Sequence, residues 1–491
     1  MSELPLPNPE PQNLIDGALV GASNAATFDN FDPATERLLG VCADGTKEDM
    51  DRAIAAARRA FDETTWSTDA GFRKRCLEQL HAALEEEKEL LRSIVVHEAG
   101  APLTLSPWMQ VDDPISMLGY WADMAESYEY ETEMGPMEFM GRPQRRLLQR
   151  EAVGVVGAIT PWNVPLYLNI AKLGPALASG CTIVLKPAPD TPWSATAIGR
   201  IAHEKTDIPA GVFNIVASSD HLLGEILSSD PRIDLVTFTG STATGRRVMA
   251  SAASTVKKIF LELGGKSANI VLDDADFEQV LPGAAMTCVH GGQGCAITTR
   301  LLLPRSRYEE GLEIIKAAFE NWNYGDPKAP ANLQGPQISR RQQQRVLEYI
   351  ERGKQEGARV LVGGAAPAHL EKGHYVEPTL LVDVDPDSTV AQEEIFGPVL
   401  CVIPFDDDDD AVKIANNSIY GLSGAVSSGS EDRALAVARR IRAGTLAVNG
   451  AQWFCADTPF GGYRQSGLGR ENGRLGFEEY LETKVMAVPQ R

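Results

Sequence analysis

Short runs of apolar and β-branched residues alternate with helical stretches between residues 151 and 265 of this chain. The runs lie at residues 153–159, 182–185, 213–216, 235–238 and 259–261, with helices expected at 166–177 and 194–203. Strands that are each followed by a helix pair in parallel and are covered on both faces. The alternation therefore predicts a doubly wound parallel sheet, and this element restricts the possible folds of the chain most.

Two further regions complete the expected architecture. A second α/β series extends from residue 268 to about residue 450, with helices expected at Tyr308–Trp322 and Gln342–Gln355. Between residues 47 and 98, apolar positions recur at intervals of three and four, which predicts two long amphipathic helices. Residues 134–157 alternate loosely, as in extended strands that reach outside the body of the protein. The fold class is therefore expected to be α/β, with two doubly wound α/β domains and a small β arm.

The chain is acidic, with a formal net charge of −21 over 491 residues. Surfaces that bind phosphates need clustered Lys and Arg, so this charge argues against a nucleic-acid partner and against an anionic membrane. Residues 1–13 lack a secretory signal pattern and no long apolar run occurs, so no membrane span is expected. The 7 cysteines are scattered without a C-x-x-C pair, which indicates reduced thiols and a cytoplasmic protein.

The acidic run Asp406–Asp410 is the feature that most resembles a metal site. It lacks the glycine and the spaced acids of a calcium loop. Acids just before a helical stretch interact favourably with the helix dipole, so the run is interpreted as a solvated helix start. The histidines are also dispersed along the chain, and no metal centre is expected.

One cysteine has the surroundings of a nucleophile. Cys295 follows the run Gly291-Gly292-Gln293-Gly294, and a single glutamate, Glu262, precedes Leu263-Gly264-Gly265. A thiolate nucleophile needs access and a proton acceptor, which small neighbours and a carboxylate supply. A thiol that attacks a carbonyl carbon either hydrolyses an ester or holds an aldehyde for hydride removal, and these two residues alone leave both reactions open.

Three strand ends carry groups suited to ligands. Residues 238–245 follow a strand and begin a helix, where glycines and the helix N-terminus suit a pyrophosphate, although the spacing is not G-x-G-x-x-G. Residues 160–165 present the amide of Asn163 at the carboxyl end of the first strand, where it would donate to an oxyanion. Lys186 ends the second strand, within reach of ribose hydroxyls. Taken singly, these segments are better explained as a plain turn, a turn asparagine bonded to its own backbone and a surface lysine.

Together these segments resemble the aldehyde dehydrogenase superfamily, whose members oxidise aldehydes to carboxylic acids with NAD(P). The resemblance covers nearly the whole chain, and its motifs follow in the family's order. The motifs are Ile15-Asp16-Gly17, Asp32-Pro33-Ala34-Thr35, Thr160-Pro161-Trp162-Asn163, Phe238-Thr239-Gly240-Ser241, Glu262-Leu263-Gly264-Gly265, Gln293-Gly294-Cys295, Glu394-Ile395-Phe396-Gly397-Pro398 and Pro459-Phe460-Gly461-Gly462-Tyr463.

The resemblance implies a role for each matching residue. Cys295 corresponds to the nucleophile, Glu262 to the general base, and Asn163 to the oxyanion donor, which acts with the backbone N–H of Cys295. Lys172 corresponds to a lysine beside the catalytic residues and Glu471 to a glutamate that relays protons. The implied cofactor residues are Ile159, Thr160, Trp162, Lys186, Pro189, Gly240, Ser241, Gly245, Leu263, Glu394 and Phe396. The implied substrate residues are Val164, Leu168, Ala171, Phe454 and Phe460.

The family mechanism would then have two halves. The thiolate of Cys295 adds to the aldehyde, and hydride transfer to the nicotinamide leaves a thioester. A water molecule activated by Glu262 hydrolyses the thioester.

The resemblance also implies how the chain is divided. Residues 1–128 and 149–261 would form the NAD(P)-binding domain, residues 262–465 the catalytic domain, and residues 129–148 and 472–491 the oligomerisation arm. In the family such arms pair between subunits, so a homodimer or a homotetramer is expected. Pairing would also cover strand edges that otherwise favour aggregation.

Two departures from the family pattern affect specificity. Pro189 stands where many members have a glutamate that binds the 2′-hydroxyl of NAD, so we expect NAD to be used and NADP to be tolerated. Val164 and Ala171 stand where Phe and Trp are common, which should widen the substrate tunnel. The expected lining offers no cation for a substrate carboxylate, so neutral aliphatic, aromatic or terpenoid aldehydes are favoured over semialdehydes.

Three alternatives remain open from the sequence. A CoA-acylating dehydrogenase would pass the acyl group to a thiol, but it would not require the water-activating Glu262. A non-catalytic binding protein on the same scaffold would not need Cys295, Glu262, Asn163 and Lys186 intact. A cysteine hydrolase without a cofactor would leave the nucleotide-binding segments without a purpose.

Overall fold

The computed structural model describes residues 4–490. The first three residues of the predicted nucleotide-binding domain and the last residue of the predicted arm lie outside the described residues. The strands are β1 (Asn13–Ile15), β2 (Ala18–Val20), β3 (Thr27–Asp32), β4 (Arg37–Ala43), β5 (Glu131–Phe139), β6 (Arg142–Ala152), β7 (Val155–Ile159), β8 (Thr182–Lys186), β9 (Phe213–Ile215), β10 (Leu235–Thr239), β11 (Lys258–Glu262), β12 (Ser267–Val271), β13 (Thr298–Pro304), β14 (Arg359–Val362), β15 (Thr379–Val382), β16 (Val399–Phe405), β17 (Ser423–Ser427), β18 (Thr445–Val448), β19 (Gly467–Leu468) and β20 (Leu481–Pro489).

The α-helices alternate with these strands through most of the chain. They are α1 (Lys47–Glu63), α2 (Ala70–Glu86), α3 (Lys88–Glu98), α4 (Asp112–Ser127), α5 (Pro165–Ser179), α6 (Trp193–Lys205), α7 (Leu223–Ser229), α8 (Thr242–Ala252), α9 (Phe277–Val280), α10 (Tyr308–Glu320), α11 (Arg340–Gln355), α12 (Thr389–Gln392), α13 (Asp408–Asn416), α14 (Glu431–Ala438) and α15 (Gly473–Glu478). Shorter helical turns lie at Leu103–Leu105, Ser106–Gln110, Ala253–Thr255, Leu281–Gly292, Arg305–Arg307 and Arg464–Ser466.

The first sheet has eight strands in the order β19-β11-β10-β7-β8-β9-β1-β2. Its five central strands, β11 to β9, pair in parallel. The edge strand β19 pairs antiparallel with β11, and at the other side β1 pairs antiparallel with both β9 and the edge strand β2. Helices α1, α5, α6, α7 and α8 contact these strands, and β8 and β10 are buried along their whole length. The doubly wound parallel sheet predicted from the alternation is confirmed.

The second sheet has seven strands in the order β14-β15-β16-β13-β12-β17-β18. All of its pairs are parallel except β14 with β15. Separate apolar clusters cover its faces, one with Val346 and Ile350 of α11 and the other with Leu312 and Ile315 of α10. The second α/β series is therefore confirmed, whereas the exact domain boundaries stay a prediction.

The prediction of two helices between residues 47 and 98 is wrong, because three helices form there. The expected second helix is divided at Glu87, where the backbone leaves the helical conformation between α2 and α3. The Glu87 carboxylate accepts a hydrogen bond of 2.6 Å from Arg200 of α6. The apolar spacing continues across this break, so the sequence periodicity does not reveal it.

The acidic run begins a helix, as its composition predicted. The carboxylate of Asp407 accepts a hydrogen bond of 2.9 Å from the backbone N–H of Asp410, and three aspartates occupy the first turn of α13. Within residues 4–490, no group of three or more His, Cys, Asp or Glu side chains is placed to hold a metal ion.

A three-stranded antiparallel sheet forms the arm, in the order β20-β6-β5. Strand β20 pairs with β6 from Leu481, opposite Ala152, to Pro489, opposite Gln144. Most side chains of β20 are exposed, and Val485 is 58% exposed. The arm thus combines segments far apart in sequence, while its role in assembly stays a prediction.

Two further findings concern the chain as a whole. None of the helices within residues 4–490 combines the length and the apolar character needed to cross a bilayer. All of the cysteines are free thiols, and Cys295 is partly exposed, Cys455 exposed and the others buried.

Candidate active site

The carboxyl ends of four parallel strands meet at one edge of the first sheet. Ile159 at the end of β7 is paired with Lys186 at the end of β8. Thr239 at the end of β10 is paired with Glu262 at the end of β11. Ligands of doubly wound sheets bind outside this edge. The topology therefore brings together candidate residues that lie up to about a hundred positions apart in sequence.

Glu262 is a buried carboxylate without a partner. Its side chain is 2% exposed, and neither oxygen has a hydrogen-bond partner within the described residues. Burial raises the pKa of Glu262 well above its usual value, and the nearby carboxylate of Glu471 raises it further, against Lys172 and Arg470. A Cβ on Gly461 would lie 2.7 Å from Oε1 of Glu262, so only glycine fits against this carboxylate.

Cys295 follows the helical turn Leu281–Gly292 and is partly exposed. A Cβ on Gly265 would lie 2.5 Å from the carbonyl oxygen of Cys295, so the two backbones approach closely. This contact joins the nucleophile segment to the segment that follows Glu262. Burial raises the pKa of the Cys295 thiol, and the carboxylates of Glu262 and Glu394 raise it further. The free thiol therefore needs a base to become a thiolate.

Asn163 lies just before α5, beside the loop of Cys295. Its side chain is 5% exposed, and its Nδ2 donates a hydrogen bond of 2.9 Å to the carbonyl oxygen of Gln293. Pro165 occupies the first turn of α5, which fixes the backbone directly after Asn163. The amide is thereby held next to the nucleophile segment.

Lys172 and Glu471 form a buried ion pair below Glu262. Nζ of Lys172 donates to Oε1 of Glu471, and the side chains are 0% and 2% exposed. Nζ of Lys172 also lies 4.6 Å from the centre of the Phe260 ring. Backbone hydrogen bonds of 2.6 and 2.7 Å join Glu471 to Phe460, so the pair is fastened to the segment that carries Gly461. Two of the five candidate catalytic residues thus bond each other directly.

Gly240, Ser241 and Gly245 form the turn between β10 and α8. The Ser241 hydroxyl accepts from the backbone N–H of Thr244 and caps the helix, while its side chain remains exposed. A Cβ on Gly245 would lie 2.5 Å from Leu263, whose own backbone N–H donates to the Ser466 carbonyl oxygen at 2.9 Å. The small residues therefore let α8 approach β11 closely, and its N-terminus carries the partial positive charge that suits a phosphate.

Lys186 is buried and Glu394 is partly buried, and neither forms a salt bridge within residues 4–490. Nζ of Lys186 is near only two backbone carbonyls, those of Ser218 at 3.3 Å and Pro187 at 3.5 Å, and burial lowers its pKa to about 8. Glu394 accepts a hydrogen bond of 3.0 Å from the backbone N–H of Gly265, and burial raises its pKa to about 7. A cation and a carboxylate with spare hydrogen-bonding capacity are suited to ribose hydroxyls.

The remaining cofactor candidates have different surroundings. Trp162 and Phe396 are in edge contact, with ring centres 5.4 Å apart, and Phe396 has a positive φ of 60°. The Thr160 hydroxyl donates to Oδ1 of Asn169 at 2.7 Å, so it is used inside the protein and not at the cleft. Pro189 lines a neighbouring cavity with Asp190.

Four of the five candidate substrate residues lie in one apolar cluster. Val164, Leu168 and Ala171 of the α5 segment are buried together with Met117 and Tyr167, and Phe454 packs against them. Phe460 stacks on Trp453 with ring centres 5.4 Å apart and an angle of 5°. The cluster contains no charged side chain.

The comparisons with known proteins agree with this arrangement. The sequence profile of the aldehyde dehydrogenase family matches residues 20–486. The chain belongs to the aldehyde dehydrogenase family. A 3-succinoylsemialdehyde-pyridine dehydrogenase from a Pseudomonas species is 42% identical, over 96% of this chain and 97% of its own length.

Solved structures resemble this aldehyde dehydrogenase over nearly the whole chain. A Mycobacterium tuberculosis aldehyde dehydrogenase complexed with NAD+ is 39% identical with a TM-score of 0.93, and the match covers 97% of this chain and 98% of the other. A Cys-to-Ala variant of an aldehyde dehydrogenase from Pseudomonas syringae, in complex with NAD+ and octanal, is 38% identical with a TM-score of 0.92, over 97% and 96%.

The structure of this aldehyde dehydrogenase adds residues that the sequence did not single out. Tyr167 accepts a hydrogen bond of 3.1 Å from Asn472, and Trp453 forms the aromatic stack. His290 contacts the carbonyl oxygen of Asn163 with its Nε2 at 2.6 Å. Tyr167 and Trp453 are sequence neighbours of candidate substrate residues, so the sequence could have identified them. The contact of His290 depends on the path of the loop and had no sequence signal.

Proposed function

We propose that this aldehyde dehydrogenase oxidises a neutral aldehyde to its carboxylic acid with NAD, through a thioester on Cys295 that water hydrolyses with Glu262 as base. The observation that carries the proposal is the pairing of a partly exposed thiol with an unpartnered buried carboxylate. The close approach of Gly265 to Cys295 joins their two segments.

In the first half, Glu262 takes the proton of the Cys295 thiol. Its raised pKa makes Glu262 a stronger base than an exposed glutamate, and no other hydrogen bond within the described residues holds its oxygens. The sulfur forms a bond to the aldehyde carbon, and the carbonyl oxygen gains the negative charge. An amide has two N–H donors, and Gln293 occupies one of those of Asn163. The second donor is free to stabilise the oxyanion.

NAD, when bound, accepts the hydride from the carbon attached to Cys295. The turn at Gly240, Ser241 and Gly245 suits the pyrophosphate, Lys186 the adenosine ribose, and Glu394 the nicotinamide ribose. NAD+ complexes of the Mycobacterium tuberculosis and Pseudomonas syringae relatives support this use. Pro189 brings no negative charge to the ribose, so we propose that NADP is tolerated.

In the second half, Glu262 removes a proton from water, which attacks the thioester carbon and releases the acid and the Cys295 thiolate. Glu262 must therefore lose a proton after each half: the thiol proton before it can activate the water, and the water proton before the next turnover. Glu471 lies near enough to raise the pKa of Glu262, and it is hydrogen-bonded to Lys172. We infer that this pair relays the proton.

The lining around α5 favours uncharged substrates. A carboxylate would be buried among Val164, Leu168, Ala171 and Phe454 without a cation, which costs several kcal/mol. The octanal complex of the Pseudomonas syringae relative supports an aliphatic aldehyde, and the pyridine-bearing substrate named for the Pseudomonas relative supports an aromatic one. Val164 and Ala171 have small side chains, which leave room for either an aliphatic or an aromatic aldehyde.

An aldehyde panel with NAD or NADP tests this proposal. Octanal, benzaldehyde, a terpenoid aldehyde and succinic semialdehyde are each assayed for NADH or NADPH, with and without CoA. We expect the highest kcat/KM for a neutral aldehyde with NAD. The free acid should be the product both with and without CoA. Best activity on succinic semialdehyde would overturn the substrate class, acyl-CoA formation would overturn hydrolysis, and no reduction would leave the binding-protein alternative.

We further propose that the first sheet forms the nucleotide-binding domain, that the second sheet carries the nucleophile, and that the arm joins subunits into a homodimer or homotetramer. Exposed apolar residues of the arm, such as Val485, support pairing between subunits. The free cysteines support a reducing location, the cytoplasm.

A further inference from the structure

The loop that leads to Cys295 has a strained backbone. His290, Gly291 and Gly292 all have positive φ, at 52°, 66° and 71°. Glycine adopts this conformation readily, whereas a residue with a side chain is strained in it unless its surroundings hold it. A Cβ on Gly292 would lie 2.0 Å from the carbonyl oxygen of Gly397, so the loop packs closely against that backbone and only glycine fits at this position. The side chain of His290 is therefore expected to have contacts that justify its conformation.

Three hydrogen bonds join His290, Gln293 and Asn163 into a closed ring. Nε2 of His290 lies 2.6 Å from the carbonyl oxygen of Asn163. Nδ2 of Asn163 donates to the carbonyl oxygen of Gln293 at 2.9 Å. Nε2 of Gln293 donates to the carbonyl oxygen of His290 at 3.0 Å. Each residue donates once and accepts once, so the ring fixes the oxyanion segment relative to the nucleophile segment.

The protonation of His290 follows from its partners. A carbonyl oxygen only accepts, so Nε2 must carry the proton. Burial lowers the pKa of His290 to about 4, and Nδ1 has no partner within the described residues, which agrees with a neutral ring protonated at Nε2. Gln110 also faces the Asn163 oxygen, but at 3.5 Å its contact is at the limit of a hydrogen bond. His290 is thus the principal donor to this oxygen.

Gln293 anchors the ring to the rest of the protein. Its Oε1 accepts from the backbone N–H of Ile338 at 2.9 Å, and its Nε2 also donates to the carbonyl oxygen of Pro336 at 3.1 Å. The Gln293 side chain is 0% exposed. Because the ring has this fixed point, a change at His290 acts on Asn163 and not on Gln293.

We propose that His290 is a positioning residue of the oxyanion site, which holds the backbone of Asn163 so that the free N–H of its amide faces the oxygen of an aldehyde on Cys295. The inference rests on the proposed function, since Asn163 must be the oxyanion donor. His290 itself does not contact the substrate. A displacement of a catalytic group by about 1 Å lowers the rate by about 10²-fold, so a loosened Asn163 should slow catalysis.

The test compares four single variants: His290→Ala, His290→Gly, His290→Asn and Asn163→Ala. We expect kcat with octanal and NAD to fall by about 10²-fold in the alanine and glycine variants of His290, with the KM for NAD unchanged. Glycine relieves the strained φ, so a loss in that variant is not caused by backbone strain. Asparagine tolerates positive φ and has an N–H donor, so it should recover part of kcat.

The double variant His290→Ala with Asn163→Ala separates positioning from a general structural effect. Because His290 acts through Asn163, its removal should add little to the loss caused by Asn163→Ala. Losses that multiply, or a His290→Gly enzyme with wild-type kcat, would contradict the inference. Melting temperatures identify a variant that fails to fold, and the glycine and asparagine variants then decide the outcome. If Asn163→Ala itself retains wild-type kcat, the proposed function fails instead.

Discussion

Strands β6 and β20 of the arm pair without interruption from Leu481 to Pro489, and most of the side chains of β20 are exposed. Around Cys295 the backbone has consecutive positive φ values, and the carboxylate of Glu262 is buried without a partner. The arm has regular strands with solvent-exposed side chains, whereas the site has an irregular backbone and a buried carboxylate. The difference teaches that the energetic cost lies at the site, because a carboxyl group buried without a hydrogen-bond partner resists ionisation and its pKa rises.

The largest expected effect is on catalytic activity, which should depend on the site and not on the arm. Cys295→Ala should lower aldehyde oxidation by about 10⁴-fold or more, because no other thiol lies beside Glu262 among the described residues. NADH formation from octanal measures the effect. The exposed Cys455 supplies the matched control, and Cys455→Ser should retain activity. Normal turnover by Cys295→Ala would contradict the role of Cys295 as nucleophile and remove the contrast between the site and the arm.

The buried ion pair predicts the largest effect on stability. Glu471→Gln leaves Lys172 charged and buried without its partner, which should lower the free energy of unfolding by about 3–5 kcal/mol. Denaturant unfolding measures this change. Glu151→Gln, which removes the partner of Lys484 in the exposed arm, should change it by less than about 1 kcal/mol. Equal losses in both variants would remove the distinction between the regions.

Unlike the substitution of Glu471, the substitution of Glu262 is expected to stabilise the protein at high pH. Its folded pKa is raised, so the folded state binds more protons than the unfolded state above the usual pKa of 4.5. Stability should therefore decrease as the pH rises from about that value. Glu262→Gln should remove this decrease and raise the melting temperature at pH 8 more than at pH 5. A melting temperature that the substitution lowers at pH 8 would contradict the assigned burial cost.

The arm predicts the smallest effect on chemistry. Val485→Glu places a charge on an exposed apolar position and should weaken subunit association, which sedimentation velocity measures. Initial rates per active site should stay within about threefold, because the arm contributes no candidate site residue. Glu482→Gln, an exposed polar position on the same strand, is the control and should leave association unchanged. An unchanged oligomeric state in Val485→Glu would contradict the proposal that the arm joins subunits.

The two regions also differ in how far the sequence predicted them. The runs at residues 153–159, 182–185 and 235–238 predicted β7, β8 and β10, because buried parallel strands are continuous apolar runs. The family resemblance grouped residues 129–148 and 472–491 in one arm, but it did not specify that β20 pairs with β6. The break at Glu87 was missed because it depends on Arg200, which is distant in sequence.

Within the site, the sequence predicted identities better than contacts. Cys295, Glu262 and Asn163 were named from motifs, and the structure places them in adjoining segments. The ring through His290 was not anticipated, because hydrogen bonds between a side chain and a distant carbonyl leave no pattern in the sequence. The hydroxyl of Thr160 bonds Asn169 inside the protein, which a motif at a strand end does not reveal.

The central claim is that Cys295 carries the acyl group and Glu262 releases it. Its most direct test is the intact mass of Glu262→Gln enzyme, quenched once NADH formation from octanal and NAD has levelled off. The variant lacks the base of both halves, so the account predicts slow NADH formation that stops close to one per active site and an octanoyl adduct that peptide mapping places on Cys295. Steady turnover without an adduct, or an adduct on another residue, would contradict it.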